Sequence, residues 1–336
     1  MKPNLLLASF LILALVGCKS EMTSNLTPKE PPASGQPRVS MPAVDGYAFE
    51  EPVSVGNVTL VAIRSTQPDR KRGQLDLYMT LEQASKLGLV EVSEVPEEIV
   101  EKLRVTNKGD KPLLLVGGDL VKGGKQDRVV ARDVIIPPGK TMDIDVFCVE
   151  QGRWSGVTGS FQAAEAKAPT VVRQSVAFAD QGQVWAKVES YNEEAGAGTS
   201  AGWSVFKGRE VSEEQEQYAA RIAEIRKALA KEGVVGLAVY KDGKLLSTEL
   251  FGSPALFRSS LDSVVSAVGS DITDDVTLAF RKDAVSQLSA ILANLEAPKA
   301  AGPRRGSTGD AEASELFAKS GEDETVLVHG YYVPKR

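Results

Sequence analysis

The chain has 336 residues, 42% of them hydrophobic and 25% charged, enough for one large domain or two ordinary ones and incompatible with wholesale disorder. Lys+Arg number 39 against Asp+Glu 45, a net charge of −6, which argues against a nonspecific nucleic-acid binder: no broad basic surface is available to displace phosphate counterions. Only one histidine is present, His329, so a Ser-His-Asp triad, a Cys-His pair and any multi-histidine metal centre are disfavoured.

The chain opens Met1-Lys2-Pro3-Asn4 and continues apolar from Leu5 to Val16, a positive start and a short hydrophobic stretch that fit a secretory signal. Leu15-Val16-Gly17-Cys18 has the form of a bacterial lipobox, in which the cysteine becomes lipidated. Residues 1–17 therefore read as a lipoprotein signal peptide, Cys18 as the lipid anchor, and 18–50, with Pro28, Pro31, Pro32 and Pro37, as a flexible tether. A tether of that length lets the domain float roughly 30 Å from its anchor. The expected location is extracytoplasmic, lipid-anchored to a bacterial membrane. In a Gram-negative host it would be the outer membrane, because Lys19 is not the aspartate associated with inner-membrane retention. With Cys18 lipidated, Cys148 is left without a disulfide partner.

Val53 to Ile63 is β-rich and mostly alternating, with a turn at Gly56-Asn57. Thr80 to Gly88 reads as a short helix with a Thr80/Gln83 capping box and Gly88 as its stop. Strands then follow closely: Lys102 to Asn107, Pro112 to Val116, Arg128 to Ile136 and Met142 to Val149, broken by Lys108-Gly109-Asp110 and Pro137-Pro138-Gly139-Lys140. Helices are expected over Gln181 to Glu194 and Glu213 to Glu232, the latter with acids leading and bases trailing. Val234 to Tyr240 and Lys244 to Phe251 flank the hairpin signal Lys241-Asp242-Gly243. Further helices are expected around Phe257 to Val268 and Leu278 to Leu295. The class is α+β: an antiparallel sheet or sandwich in the N-terminal half packed with helices from the C-terminal half. The globular domain spans 51–296. Residues 297–323, rich in Ala, Gly, Pro and Ser, read as a disordered linker, and 324–336 as a C-terminal strand and tail with His329 on its surface.

Two polar runs interrupt the hydrophobic strands. The first is Gly117 to Arg128, in which glycines permit close backbone approach to a ligand and Lys125 and Arg128 supply charge for phosphate or carboxylate. It lacks the terminal Lys-Ser/Thr of a Walker loop, and a flexible basic hairpin is the plainer alternative. The second is Cys148-Val149-Glu150-Gln151-Gly152-Arg153-Trp154. Strand alternation puts Ile144, Val146, Cys148 and Glu150 on one face, so Cys148 reads either as a buried inert thiol or as a nucleophile activated by Arg153. Glu150 would pair with Arg153 beneath Trp154, either as a structural bridge or as the polar wall of a pocket.

Gly123-Gly124-Lys125-Gln126-Asp127-Arg128, Ile135-Ile136-Pro137-Pro138-Gly139 and Phe147 to Trp154, with Gln181-Gly182-Gln183-Val184-Trp185 and Gly252-Ser253-Pro254-Ala255-Leu256-Phe257-Arg258 behind them, resemble the ARG and rhodanese-phosphatase-superfamily-associated protein domain. The resemblance covers about Glu51 to Leu295. The family's association with ADP-ribosylglycohydrolases and phosphatase-like proteins implies nucleotide-derived or phosphorylated ligands, without an established reaction.

Three readings follow. In the first, a membrane-tethered module binds a small anionic, phosphate- or ribose-containing ligand or an envelope partner through Lys125, Gln126, Arg128, Glu150, Arg153 and Trp154, without a cofactor. In the second, the protein is a hydrolase or transferase on such a substrate, with Glu150 as general base, Cys148 as nucleophile, or Asp119, Asp127 and Glu150 sharing a divalent cation. In the third, it is an envelope scaffold that binds only proteins. None involves nucleic acid.

Overall fold

The computed structural model describes residues 44–67, 75–96, 99–150, 161–178, 180–194, 213–274, 276–277, 279–281, 283–295, 300–320 and 324–335, without the side chains of 164–166 and 213–218. Cys18, Arg153, Trp154, the lipobox and nearly all of the tether lie outside them.

The chain begins a sheet, leaves it to build a barrel, and returns to finish it. β1 (Tyr47–Phe49), β2 (Val53–Val55) and β3 (Val58–Ser65) come first. A 3-10 turn at Leu75–Leu77 then leads to β4 (Met79–Thr80) and helix α1 (Leu81–Lys86). The expected capping box is present: Thr80 accepts the Gln83 N–H at 3.3 Å and Gln83 accepts the Thr80 N–H at 3.2 Å. There follow β5 (Val90–Glu94), β6 (Lys102–Asn107), β7 (Leu113–Leu115), β8 (Asp119–Gly123), β9 (Arg128–Val130), β10 (Val134–Ile136), β11 (Thr141–Cys148) and β12 (Phe161–Lys167). Strands β11, β6, β5, β12, β8 and β9 close into an antiparallel barrel, while β10, β7 and β4 form a small sheet beside it. Alternate residues fill the barrel interior, among them Val92, Leu103, Val105, Val121, Val130, Ile144, Val146 and Phe161.

Helices α2 (Thr170–Phe178) and α3 (Gln181–Glu194) pack outside the barrel through Val172, Val176, Val184 and Val188 against Leu120 and Val129. After α4 (Glu213–Leu229) the chain re-enters the first sheet with β13 (Val234–Lys241) and β14 (Lys244–Phe251). The turn between them has positive φ at both Asp242 (51°) and Gly243 (74°), the twist a two-residue hairpin needs. Three helices follow, α5 (Pro254–Ser259), α6 (Leu261–Asp271) and α7 (Ala284–Ala293). Strands β15 (Gly302–Thr308), β16 (Ala311–Lys319) and β17 (Thr325–Pro334) complete an eight-stranded antiparallel sheet in which β13 pairs with β3. Every residue of β13 is buried because helices cover both faces: Leu237 and Val239 pack with residues of α4, α5 and α6, while Ala238 and Tyr240 pack with α7.

The α+β class holds, and the C-terminal half adds five strands to the antiparallel sheets begun in the N-terminal half. Residues 297–323 need correction: composition suggested a disordered linker, yet they carry β15 and β16, paired from Gly302↔Phe317 to Thr308↔Ala311. Gly, Pro and Arg are tolerated in β15 because it is the edge strand. The Gly252–Phe257 motif is structural. A Cβ on Gly252 would collide with the Leu327 carbonyl, Ser253 caps α5 by accepting the Leu256 N–H at 3.1 Å, and Leu256 and Phe257 enter the core. Among the described residues no helix is long and apolar enough to cross a membrane.

Candidate functional site

The two polar runs meet at one end of the barrel. The β8–β9 hairpin lies against the end of β11: Gln126 Nε2 donates to the Glu150 carbonyl at 2.8 Å, and the Asp127 N–H donates to Glu150 Oε2 at 2.9 Å. Asp127 Oδ1 accepts the Gly123 N–H at 3.0 Å, closing the turn. Gly124 serves packing here, contrary to the expected approach of a ligand: a Cβ would collide with the Phe161 ring inside the barrel. On its other side Cys148 is held by Gln181, whose amide accepts the Cys148 N–H at 2.8 Å and donates to its carbonyl at 2.9 Å. The Gln181 motif thus acts as a lateral strand partner for β11.

Arg128 is the unusual member. It is 1% exposed, yet its guanidinium donates to carbonyl oxygens, Gln126 at 2.8 Å and Val100 at 3.3 Å, and to the Gln126 amide oxygen at 3.4 Å. Among the described residues it forms no ion pair, and a buried cation without a counter-charge is costly. Its Cα neighbour across the ladder is Cys148. That thiol is buried, and burial pushes its pKa above the ordinary value against the pull of Arg128. Cys148 is therefore a packed thiol: iodoacetamide should leave it unmodified in the native protein and label it after denaturation, read by intact mass. Rapid labelling of the folded protein would restore the nucleophile reading.

A second polar centre escaped the sequence reading. His329 on β17 is fully buried, which overturns its placement on the surface. Its Nδ1 lies 2.7 Å from Asp133 Oδ2 and its Nε2 2.9 Å from Glu249 Oε1. Glu249 also takes both terminal nitrogens of Arg173, at 2.9 and 2.6 Å. The Lys167 ammonium lies 3.5 Å from Glu249 and 3.8 Å from Asp119. Burial opposes charge on His329, but the two carboxylates outweigh it and raise its pKa. Burial likewise opposes ionisation of Asp133 and Glu249, and their cationic neighbours (His329 for the first, Arg173 and Lys167 for the second) outweigh it and lower both. For Asp119 burial wins and the pKa rises. Three acids and three bases thus balance where the barrel strands β8 and β12 and helix α2 meet β14 and β17. The signal was present: His329 sits in the apolar run Val326-Leu327-Val328, and Glu249 precedes Leu250-Phe251, so both lie in strands buried on both faces.

This centre is closed. Both imidazole nitrogens are occupied, and the cavity that Asp119 and Lys167 line has a volume of about 20 Å³, too small for an organic ligand. A cation shared by Asp119, Asp127 and Glu150 is not formed either. Asp119 starts β8 and Asp127 lies beyond its far end, ~13 Å of strand away at ~3.3 Å per residue. Among the described residues no cluster of three or more His, Cys, Asp or Glu side chains is arranged to hold a metal ion.

No curated protein and no solved structure matches the chain. The family model for the ARG and Rhodanese-Phosphatase-superfamily-associated Protein domain matches residues 46–333, which takes in the β15–β16 hairpin and nearly all of β17 beyond the segment that carried the resemblance. With the barrel rim and the returning strands of the large sheet inside one match, the chain belongs to the ARG and Rhodanese-Phosphatase-superfamily-associated Protein domain family.

Proposed function

We propose that the chain is a lipid-anchored extracytoplasmic binding module that takes a small anionic, phosphate- or ribose-containing ligand at the barrel rim formed by Lys125–Arg128 and Cys148–Glu150, with Arg153 and Trp154 as further ligand groups. One observation carries the reading: Arg128 is a buried guanidinium with carbonyl and amide partners but no carboxylate among the described residues, so an anion brought to the rim supplies the missing counter-charge. Glu150 holds the hairpin against β11, and Arg153 and Trp154, three and four residues on in the sequence, are the further candidate ligand groups. Binding is favoured over catalysis because the lone histidine has no nitrogen left for proton transfer and Cys148 is packed away. Anchoring rests on Leu15-Val16-Gly17-Cys18.

Two measurements test it. Palmitate should label the wild-type protein and not Cys18→Ala, which should be released from membranes; membrane retention of the unlabelled variant contradicts the anchor. In a thermal-shift screen, ADP-ribose, a nucleotide or a sugar phosphate at a hundred times its dissociation constant should contribute ~2.7 kcal/mol, about 5 °C. That shift should vanish in Arg153→Ala, and a flat screen on folded protein favours the protein-binding scaffold instead.

A further inference from the structure

A separate cleft of about 600 Å³ opens where the barrel meets the β15–β16 hairpin, within the size range of small-molecule sites. Tyr78, Ile135, Met142, Leu316 and Phe317 supply its apolar walls. Met142 is 37% exposed and so can be reached from the cleft. Four of the charged groups that line the cleft, Arg132, Asp133, Asp143 and Asp145, are engaged with one another or with groups behind it. Arg132 pairs with Asp145, which also takes Lys102 at 2.8 Å. Asp143 holds Arg104 through two bonds of 2.7 and 2.9 Å, and Asp133 is fixed by His329 and by the Gly117 N–H at 2.8 Å. Lys319 stands exposed at the rim.

A charged ligand drawn to Arg132, Asp133, Asp143 or Asp145 would break one of these pairs and leave its partner uncompensated, whereas an uncharged apolar body can rest on Tyr78, Ile135, Met142, Leu316 and Phe317 without disturbing them. We propose that this cleft is a second ligand site, independent of the barrel rim, and that it takes an uncharged apolar molecule such as an aryl group or an acyl chain. The paired charges of Arg132, Asp133, Asp143 and Asp145 offer a charged ligand no vacant counter-charge, and the apolar residues from β10, β11 and β16 supply the contact.

Photolabelling of the full chain tests this with the neutral probe trifluoromethyl-phenyl-diazirine and its carboxylate-bearing analogue, followed by peptide mapping. The neutral probe should label peptides holding Met142 and Leu316–Phe317, and the carboxylate analogue should not. Met142→Lys, an exposed position that keeps the fold, should cut that labelling about tenfold. Leu87→Lys, at another exposed apolar side chain, should leave the cleft signal unchanged. Cleft labelling that is absent, equal for the two probes, or unaffected by Met142→Lys overturns the proposal.

Discussion

Replacing Glu249 by glutamine is expected to destabilise the protein by about 3–5 kcal/mol, measured by urea unfolding near pH 6. The carboxylate is buried and meets Arg173 bidentately, His329 and Lys167 at once. Glutamine keeps one acceptor but removes the charge that faces all three cations. The network joins barrel strands and α2 to β14 and β17, so its loss loosens the joint between the two halves of the fold. Asp143→Ala provides the contrast. It also breaks a bidentate arginine pair, but an exposed one, and should cost about 1 kcal/mol or less. A Glu249→Gln midpoint close to that of Asp143→Ala would show that the buried network contributes no more than a surface pair.

The same groups set a pH window. Asp133 and Glu249 have folded pKa values below their ordinary 3.8 and 4.5, so their contribution is present above those values and is lost as pH falls through the lowered ones. The folded pKa of His329 lies above its ordinary 6.5, so its contribution is complete below 6.5 and is lost as pH rises through the raised value. The contributions of Asp133, Glu249 and His329 are therefore all present between 4.5 and 6.5.

The second large effect has the opposite sign. Asp271→Asn should stabilise the protein by about 2–4 kcal/mol above pH 7, with the gain shrinking toward pH 4. Asp271 is wholly buried and accepts the Thr170 N–H at 2.9 Å at the start of α2, while its Oδ2 has no hydrogen bond. Burial raises its pKa from 3.8 to about 7 despite that bond. Between those values the folded state binds a proton that the unfolded state has released, so stability falls as pH rises and stays reduced above 7. Asparagine keeps the acceptor and removes the charge. Thermal midpoints at the two ends of this range decide it, and a variant that is less stable than wild type above pH 7 would mean that the ionised carboxylate is needed at α2.

Local chemistry was legible in the sequence wherever it is settled by neighbours in the chain. The Thr80/Gln83 box, the Asp242-Gly243 turn and the limits of β6 and α3 depend on a few adjacent residues, and the structure reproduces them. The barrel was not legible, because its closure depends on β12 pairing with both β8 and β5 across long intervals of sequence. Nor was the return of β13 to β3, two strands separated by the whole barrel. The β15–β16 hairpin was masked by the turn-like composition of an edge strand, although Ala311, Ala313 and Leu316 carry a buried pattern in β16. Of the candidate residues, Gln126, Asp127, Arg128, Cys148 and Glu150 lie together at one rim. Asp119 joins His329 and Glu249 instead, since strands 130 residues and more downstream bring these groups to it; no local pattern encodes such a meeting.

The most direct test of the account compares ligand response in two variants, Arg128→Gln and His329→Gln, by calorimetric titration with the phosphate-bearing compound that shifts the wild-type midpoint. Both are assayed at a temperature where near-ultraviolet circular dichroism shows native packing. Arg128→Gln should lose the binding heat, because the buried guanidinium supplies the counter-charge at the barrel rim. His329→Gln should bind with wild-type affinity while unfolding at a lower temperature, because its imidazole serves the joint between barrel and sheet. Binding that survives Arg128→Gln and disappears in His329→Gln would place the ligand at the buried histidine and contradict the account.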